Sequence, residues 1–425
     1  MPLQALIDDA LAQTPPGRCV WVALSGGLDS ALLLTLAAEA CRRHPRPLYA
    51  LHVHHGLQAA ADGFEVHCRR LCSRLGVPLF VERVEVDLAA GQGLEGAARV
   101  ARYAAFARRV APGETLWLGQ HRDDQAETFL LAALRGSGVR GLAGMPPARA
   151  WRGRALSRPL LVVSRASLEA EAARCGLAWV EDPSNADERL DRNYLRHTVL
   201  PGLATRWPHA AAALSRSAAL AGEAEGLLGE LAELDLERLG GEPARLSAVG
   251  LTAFSAARQR LLLRHACARL GLPSPPAARL ATLLAQLASR RDAEVRVAWE
   301  GVEARVWRGW LYLLAPLPSL PEGWETRWNG EAPLITPLGT CNLGLSRAAA
   351  VSGPLLLRPR RGGERLHLAS RGSRDLKRLL QELAVPPWER QRLLVAWWGA
   401  TPVAVLDPVS ERWLAVASGW RGESP

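Results

Sequence analysis

The sequence predicts an α/β protein in three parts: an N-terminal, doubly wound and mostly parallel sheet, a small and mainly helical domain, and a C-terminal α+β domain. Over roughly the first 200 residues, short apolar runs alternate with helix-like segments, which is typical of a parallel sheet. After Pro201 the chain changes to Ala-, Leu- and Arg-rich stretches of helical period. The proline-rich segment 316–323 then indicates a linker.

The N-terminal part contains predicted strands that are separated by predicted helices. The strands are Cys19–Leu24, Leu48–Val53, Leu79–Val86 and Thr115–Gly119. The helices are Ser30–Arg42, Gly63–Leu75, Glu95–Val110 and Asp123–Leu134. Ligands of open α/β sheets bind beyond the carboxyl ends of the strands. The polar residues that follow these strands are therefore the candidate site.

The rest of the chain is predicted to hold helices, short strands and one late helix. The predicted helices are His209–Leu239, Ala253–Leu270, Pro276–Ser289 and, near the end, Asp375–Ala384. The predicted strands are Glu294–Trp299, Val302–Trp307 and Trp310–Leu314. The predicted domains are residues 1–205, 206–315 and 331–425, with a linker at 316–330.

Composition limits the class of the protein. The chain has 425 residues, a net charge of +10 and seven cysteines. Scattered cysteines in odd number argue against a disulfide framework, and without a long apolar run we expect a cytoplasmic protein with no membrane partner. The positive charge indicates a polyanionic partner such as a nucleic acid. Lys377 is the sole lysine, and arginine cannot imitate its compact ammonium at a single-point contact.

The first predicted strand leads into the loop Ser25–Ser30, which reads SGGLDS. Two adjacent glycines allow a positive φ and the close approach of an anion, and the start of the following helix offers unpaired N–H groups. The serine hydroxyls add further donors. The loop lacks the lysine of the G-x-x-x-x-G-K-[ST] pattern, so the sequence predicts a nucleotide chemistry other than transfer of the terminal phosphoryl group.

Histidines follow the second predicted strand. His52 and His54 share one face of that strand, and His55 lies on the other. Three histidines raise the alternative of a metal site, but no carboxylate or cysteine completes a ligand set nearby. We therefore predict a place beside the nucleotide for this cluster.

Acidic side chains follow the fourth predicted strand. Asp123 and Asp124 fall in the first turn of a helix, where capping alone would explain them. Asp123 and Glu127 are four residues apart and share one face of that helix. Two stacked carboxylates repel each other unless a cation lies between them, so Mg²⁺ or a substrate ammonium is predicted there.

Longer motifs narrow the prediction. The SGGLDS loop resembles that of the ATP pyrophosphatases, whose fold is adenine nucleotide alpha hydrolase-like. Together with HVHHGL, GQHRDDQAETFLLAALRGSGVRGLAGM, RPLL at Arg158–Leu161, EDPSN and RNYLR, in that order, it makes most of the N-terminal part resemble the tRNA(Ile)-lysidine synthetase family. The tail from Ser373 to Arg390 resembles the C-terminal pattern of that family and places Lys377 at a family lysine.

The resemblance implies an enzyme that joins free L-lysine to C2 of the wobble cytidine in the CAU anticodon of tRNA(Ile). ATP first adenylates the cytidine with release of pyrophosphate, and lysine then displaces AMP, so that the codon read changes from AUG to AUA. The residues implied for ATP binding are Ser25, Gly26, Gly27, Leu28, Asp29, Ser30, His54 and His121. Mg²⁺ is expected at Asp29.

The same resemblance assigns roles to acids and arginines. The catalytic residues implied are Asp29, Asp123, Asp124 and Glu127. Glu127 is expected to orient or deprotonate the lysine. Arg99 and Arg196 match family arginines and are expected to bind phosphates or the lysine carboxylate, with a surface ion pair to Glu95 as the alternative for Arg99.

A tRNA substrate also suits the two further domains, because an anticodon enzyme gains selectivity from contacts far from the anticodon. The tRNA contacts expected in the C-terminal domain are Arg371, Arg374, Lys377 and Arg378. A solvated basic face is the alternative. A homodimer is compatible with the resemblance, and the sequence leaves the oligomeric state open. Rival functions are tRNA thiolation, for which the expected C-x-x-C is absent from the sequence, and a non-catalytic tRNA-binding protein.

Overall fold

The computed structural model describes residues 2–56, 61–87, 93–289, 295–315, 317–347, 353–369 and 371–423. The chain divides into two compact units, Met1–Glu230 and Leu231–Pro425. The division falls inside one long helix, and the predicted boundaries of the middle domain stay predictions.

The first unit alternates strands and helices along most of its length. Its strands are β1 (Val20–Ala23), β2 (Leu48–His54), β3 (Leu79–Arg83), β4 (Thr115–Trp117), β5 (Ala148–Trp151) and β6 (Arg154–Ser157). Its helices are α1 (Leu3–Ala12), α2 (Leu28–Arg43), α3 (Ala61–Leu75), α4 (Gly93–Arg109), α5 (Arg122–Leu134), α6 (Val139–Leu142), α7 (Arg165–Arg174), α8 (Asp191–Tyr194), α9 (Leu200–Arg206) and α10 (Ala210–Arg238), of which α10 extends past the division.

The strands of the first unit form one sheet in the order β3-β2-β1-β4-β6-β5. Val20 of β1 lies beside Leu48 of β2 and Thr115 of β4, in parallel on both sides, whereas β5 runs antiparallel to β6. The predicted doubly wound, mostly parallel sheet is confirmed. Because the strand order reverses at β1, a crevice is expected at the carboxyl ends of β1 and β4.

Helix α2 anchors this crevice from inside the protein. Leu32, Leu33 and Leu34 are fully buried, because α2 packs against α1, α3 and α7 as well as against β1 and β2 of the sheet. This enclosure explains why apolar residues fill most of α2, whereas Glu39, Arg42 and Arg43 toward its end are exposed. It also holds the start of α2, and the loop before it, in one position.

Several boundaries differ from the prediction by a few residues. Helix α2 begins at Leu28 instead of Ser30, because Gly27 is already its N-cap. Strand β3 ends at Arg83 instead of Val86. Helix α1, the helices α6 to α9 and the β5–β6 hairpin were not predicted. The hairpin was not predicted because β5 is an exposed edge strand whose alternation is not marked by buried apolar residues.

The second unit combines helices with antiparallel sheets. Its helices are α11 (Ala248–Thr252), α12 (Ala256–Arg269), α13 (Ala277–Ser289) and α14 (Leu376–Glu382). Its strands are β7 (Arg245–Ser247), β8 (Arg296–Trp299), β9 (Val302–Trp307), β10 (Trp310–Leu314), β11 (Thr326–Trp328), β12 (Leu334–Thr336), β13 (Gly339–Cys341), β14 (Gly344–Arg347), β15 (Leu355–Pro359), β16 (Arg365–Leu368), β17 (Gly372–Asp375), β18 (Leu394–Trp398), β19 (Thr401–Asp407), β20 (Arg412–Val416) and β21 (Trp420–Glu423).

Two apolar cores organise the second unit. The first joins α11, α12 and α13 to the sheet β7-β10-β9-β8, and the second lies under the sheet β11-β15-β18-β19-β20 and α14. The predicted helical middle region and C-terminal α+β region are confirmed, although Glu294 of the first predicted strand lies outside the described residues. Helix α14 is shorter than predicted, because Asp375 is its N-cap and Ala384 has a left-handed φ of 54°.

No described helix has both the length and the apolar composition that crossing a membrane requires. All seven cysteines are free thiols, and burial raises the pKa of Cys68 to about 12 and that of Cys72 to about 11.

Candidate active site

The loop after β1 has the backbone shape of an anion-binding turn. Gly26 has a φ of 93°, which L side chains rarely adopt, and a Cβ there would lie 3.2 Å from Val180 Cγ2 and 3.3 Å from Cys68 Sγ. The hydroxyl oxygens of Ser25 and Ser30 lie 3.0 Å apart and brace the turn. Within the described residues no side chain caps the start of α2, so its first N–H groups are available to a ligand.

A later segment holds this loop in place. Val180 donates its backbone N–H to Gly26 O at 3.1 Å, so the chain that enters the EDPSN motif is paired with the glycine loop. Asn193 of the RNYLR motif donates from Nδ2 to Ser184 O at 2.8 Å and to Asp187 O at 3.0 Å. The two motifs are therefore tied to each other and, through Val180, to the loop.

The histidines at the end of β2 both have partners. Nδ1 of His52 lies 2.8 Å from Leu24 O, just before the loop, and burial lowers the pKa of His52. Nε2 of His54 lies 3.1 Å from Asp62 Oδ1. His52 therefore supports the loop from inside, and His54 lies at the carboxyl end of its strand with one ring nitrogen engaged. Among the residues that the structure describes, no group of three His, Cys, Asp or Glu side chains could hold a metal ion.

Asp29, in the first turn of α2, is held by an arginine that the sequence analysis missed. Arg165 Nη1 donates to both Asp29 Oδ1 and Oδ2 at 3.0 Å, and Arg165 N donates to Asp123 Oδ2 at 3.0 Å. Arg165 thus links the acid of the glycine loop to the first acid of α5. Burial raises the pKa of Asp29 above its ordinary value, against the opposing charges of His121 and Arg165.

His121 caps α5 between three carboxylates. The ring Nδ1 of His121 accepts a hydrogen bond from the backbone N–H of Asp123 at 3.2 Å. The backbone N–H of His121 donates to Asp124 Oδ2 at 3.0 Å. Burial works to lower the pKa of His121, but the neighbouring carboxylates of Asp123, Asp124 and Asp29 outweigh it and raise the pKa. The cap requires an unprotonated Nδ1, so the geometry fits the ring with its hydrogen on Nε2, 3.5 Å from Asp124 Oδ2. The capping role considered for Asp124 is therefore realised.

Glu127 is fully buried between two arginines. Arg192 Nε donates to its Oε2 at 2.8 Å, and Arg196 donates from Nε to Oε1 at 2.7 Å and from Nη2 to Oε2 at 3.1 Å. Arg196 Nη2 also donates to Asp124 Oδ1 at 2.9 Å. Burial opposes the charge of Arg196, but the hydrogen bond and charge of Glu127 raise its pKa overall. Mg²⁺ or a substrate ammonium was predicted between Asp123 and Glu127. In the structure two guanidinium groups contact Glu127, and Asp123 accepts a hydrogen bond from the backbone of Arg165.

Arg99 contacts Tyr103, and none of its described hydrogen bonds or ion pairs joins it to the acids of α5. Its guanidinium carbon is 4.9 Å from the centre of the Tyr103 ring, and its Nη2 donates to Tyr103 Oη at 3.4 Å. The side chain of Glu95, its alternative partner, lies outside the described residues. Of the two arginines predicted for the site, the structure places Arg196 among the acids of α5 and Arg99 on Tyr103.

The basic residues predicted to contact tRNA lie at and before α14. Arg371 is paired with Glu382 through an Nη1–Oε2 distance of 3.1 Å. The side chains of Arg374, Lys377 and Arg378 are exposed. Lys377 and Arg378 occupy the first turn of α14, where the helix dipole disfavours a cation. Their placement is therefore not explained by the stability of that helix.

Arg196 was predicted for the site, but two further arginines, Arg192 and Arg165, were not. Arg192 and Arg196 are four residues apart within RNYLR, so the motif itself signalled that both lie on one face. Arg165 follows RPLL after a short gap, and no local pattern links it to Asp29, which lies 136 residues earlier.

Comparisons with known proteins agree with this architecture. Family models match residues 3–203 as a PP-loop domain, 246–312 as a TilS substrate binding domain and 355–421 as a TilS substrate C-terminal domain. The tRNA(Ile)-lysidine synthase of Xanthomonas axonopodis pv. citri is 46% identical over 97% of this chain and 96% of its own. That of Pseudomonas aeruginosa is 46% identical over 92% of this chain and 90% of its own. That of Xanthomonas campestris pv. campestris is 44% identical over 97% of both.

Proposed function

The chain belongs to the tRNA(Ile)-lysidine synthase family, and from this we propose that it uses ATP to join free L-lysine to C2 of the wobble cytidine in the CAU anticodon of tRNA(Ile). The observation that carries the proposal is an identity of 44–46% to relatives of that name over nearly the whole chain. The modified anticodon then reads AUA in place of AUG.

The reaction needs two steps because a carbonyl oxygen of cytosine is a poor leaving group. In the first step, the cytidine O2 attacks the α-phosphorus of ATP, and the bond to pyrophosphate breaks. In the second step, the deprotonated Nζ of lysine attacks C2, and AMP leaves with the former O2. The lysine ammonium, with an ordinary pKa of about 10.4, must first give its proton to a base.

The glycine loop and the start of α2 are proposed to hold the phosphates of ATP. The left-handed Gly26 and the uncapped N–H groups of the first turn support this role. His54 is the last residue of β2, and His121 lies a few residues after the end of β4. The two histidines therefore follow the strands on either side of β1, which leads into the loop. They are proposed to contact the nucleotide at the edges of the crevice.

Mg²⁺ is proposed to bind through Asp29. Magnesium is usually held by one or two carboxylates together with substrate phosphates, so a cage of protein ligands is not required. Asp29 fits, since its carboxylate is partly exposed beside the phosphate-binding loop. When bound there, the ion would neutralise charge on the phosphates. In the structure Arg165 is hydrogen-bonded to both oxygens of that carboxylate. Binding of Mg²⁺ to Asp29 would therefore require Arg165 to release it.

The acids of α5 are proposed to receive the lysine. Asp123 has a lowered pKa: burial opposes its charge, but the neighbouring His121 ring and the hydrogen bond from the backbone N–H of Arg165 outweigh burial and favour the carboxylate. It is therefore ionised near neutral pH and can hold an ammonium. Glu127 has both oxygens engaged by arginines, which favours the orienting role over direct proton transfer. We propose Glu127 as a positioning residue that acts through Arg196, with Asp124 in the same pocket.

Contacts with tRNA are proposed for the second unit, whose two matched domains carry the family's substrate-binding descriptions. Arg374, Lys377 and Arg378 offer exposed charge for phosphate groups, which set affinity and register. Arg371 forms an ion pair with Glu382, so it is expected to contribute less to phosphate binding. The cytoplasm is the proposed compartment, because tRNA, ATP and free lysine meet there.

The test supplies the protein with ATP, labelled lysine and a transcript of tRNA(Ile) with a CAU anticodon. A methionine tRNA with the same anticodon is the matched control. We expect label in the isoleucine tRNA alone, with one AMP and one pyrophosphate released for each lysine incorporated. Release of ADP and orthophosphate, or equal labelling of both transcripts, would contradict the proposal.

A further inference from the structure

Arg158, the residue that follows β6, carries a buried charge with neutral partners. It is 4% exposed. Its Nε donates to Gln120 Oε1 at 3.1 Å, and its Nη1 donates to Pro146 O at 2.8 Å. Neither oxygen bears a formal charge, whereas buried guanidinium groups are normally paired with an anion. An anionic partner that the protein itself does not supply among these contacts is therefore expected.

The charges around Arg158 are of the same sign as its own. Burial lowers the pKa of Arg158, and the nearby charges of Arg149 and Arg99 lower it further, while Tyr103 favours the charged form. Tyr103 also accepts a hydrogen bond from Arg99. An anion placed among these groups would relieve both the burial of the guanidinium and its repulsion from the other two.

The position of Arg158 relates this charge to the acidic cluster. Strand β6 is parallel to β4, with Ser157 beside Trp117, so both strands end at the edge of the sheet where the candidate site lies. Gln120, which accepts from Arg158, directly precedes the His121 cap of α5. A cationic group and an acidic group therefore lie next to one another at this edge.

We propose that Arg158 binds the α-carboxylate of the lysine substrate, with Tyr103 and Arg99 completing the pocket. The proposal rests on the proposed function and names the contact that makes the enzyme select an amino acid instead of a simple amine. An amino acid with a cationic side chain carries both charges that this edge complements. The planar guanidinium of arginine suits a carboxylate. A phosphate of ATP is the less favoured anion, because the glycine loop is already proposed to bind the phosphates.

The experiment compares lysine with cadaverine, which has both amines but no carboxylate. Lysidine-type transfer to the isoleucine tRNA is measured for the wild type, Arg158→Gln and Arg158→Lys, with KM determined for each amine, for ATP and for tRNA. In Arg158→Gln we expect the KM of lysine to rise about tenfold or more, while that of cadaverine changes little. The preference for lysine over cadaverine should therefore collapse. Arg158→Lys keeps a positive charge and should recover part of that preference.

Arg154→Gln is the matched control, because Arg154 begins β6, the strand that Arg158 follows, and also donates to backbone carbonyl oxygens, namely those of Ala107, Val110 and Arg152. It should leave the preference unchanged. An equal rise of KM for both amines, or a rise confined to ATP or tRNA, would overturn the proposal in favour of a structural or phosphate-binding role. A wild type that transfers neither amine would instead contradict the proposed function. If Arg158→Gln fails to fold, Tyr103→Phe provides the same comparison.

Discussion

Arg165 Nη1 lies 3.0 Å from both carboxylate oxygens of Asp29, so the acid of the glycine loop is paired with a guanidinium from the start of α7. Both side chains are partly exposed, and such a pair exchanges its partners at modest cost. The same carboxylate is the one proposed for Mg²⁺. Arg165 would therefore compete with the proposed ion for Asp29.

Arg165→Gln should lower the Mg²⁺ concentration needed for ATP binding. Removal of the competing guanidinium leaves Asp29 free, and a pair of this exposure is worth about 1 kcal/mol, or roughly a fivefold change in half-saturation. Binding of labelled ATP over a Mg²⁺ titration measures it. Arg174→Gln, which removes a surface pair with Glu171 on the same helix, should have no effect. An unchanged or increased Mg²⁺ requirement in Arg165→Gln would disprove the competition.

Glu127→Gln should separate the two steps of the reaction. The amide cannot balance Arg192 and Arg196, so Arg196 is expected to move and lysine transfer to fall at least a hundredfold, while the glycine loop still binds ATP. Quenched reactions should then accumulate adenylated tRNA. Unfolding by urea should show a loss of about 2–3 kcal/mol, because a buried charge partner has been removed.

Two outcomes would contradict this role of Glu127. Normal lysine transfer would remove it from the site, and a parallel loss of ATP binding would mean that the whole first unit is disturbed. Glu171→Gln is the control for charge removal, since its partner Arg174 is mostly exposed. We expect that control to change the stability by less than about 1 kcal/mol.

Much of the first unit follows from local sequence patterns. Alternating apolar runs predicted β1 to β4, and the glycine pair predicted the turn before α2, because both signals depend on neighbouring residues. The partners of the acids did not follow, since Asp29 meets Arg165 only once α7 has packed against α2. Spacing placed Asp123 and Glu127 on one helix face, but it could not reveal that Arg192 and Arg196 already balance Glu127.

The buried thiols Cys68 and Cys72 predict a pH dependence of stability. Burial raises their pKa values to about 12 and about 11, from an ordinary value of 9.0. Folding therefore favours the neutral thiols: this stabilisation is complete below about pH 9 and is lost as the pH rises through the raised values. The free energy of unfolding should fall over that range, and it should fall less steeply in Cys68→Ala.

Alkylation gives an independent measurement on the same thiols. At pH 8.5, iodoacetamide should modify the exposed Cys175 of the native protein and leave Cys68 and Cys72 unmodified, because the thiolate is the reactive form. All three should react in denaturant, as seen by mass spectrometry of peptides. Rapid native labelling of Cys68 would contradict the packing of its sulfur beneath Gly26.

Lys377→Glu combined with Arg378→Glu should weaken tRNA binding without affecting ATP. Both side chains are exposed in the first turn of α14, where a carboxylate is more favourable to the helix than a cation. The variant should therefore be at least as stable as the wild type, and any loss of tRNA affinity is not due to unfolding. Loss of two phosphate contacts should reduce the slope of log K against log salt by about 2. Arg412→Glu, which reverses the charge of an exposed arginine on β20, is the control. The same salt slope in the wild type, the double variant and this control would mean that Lys377 and Arg378 belong to a solvated surface that does not contact tRNA.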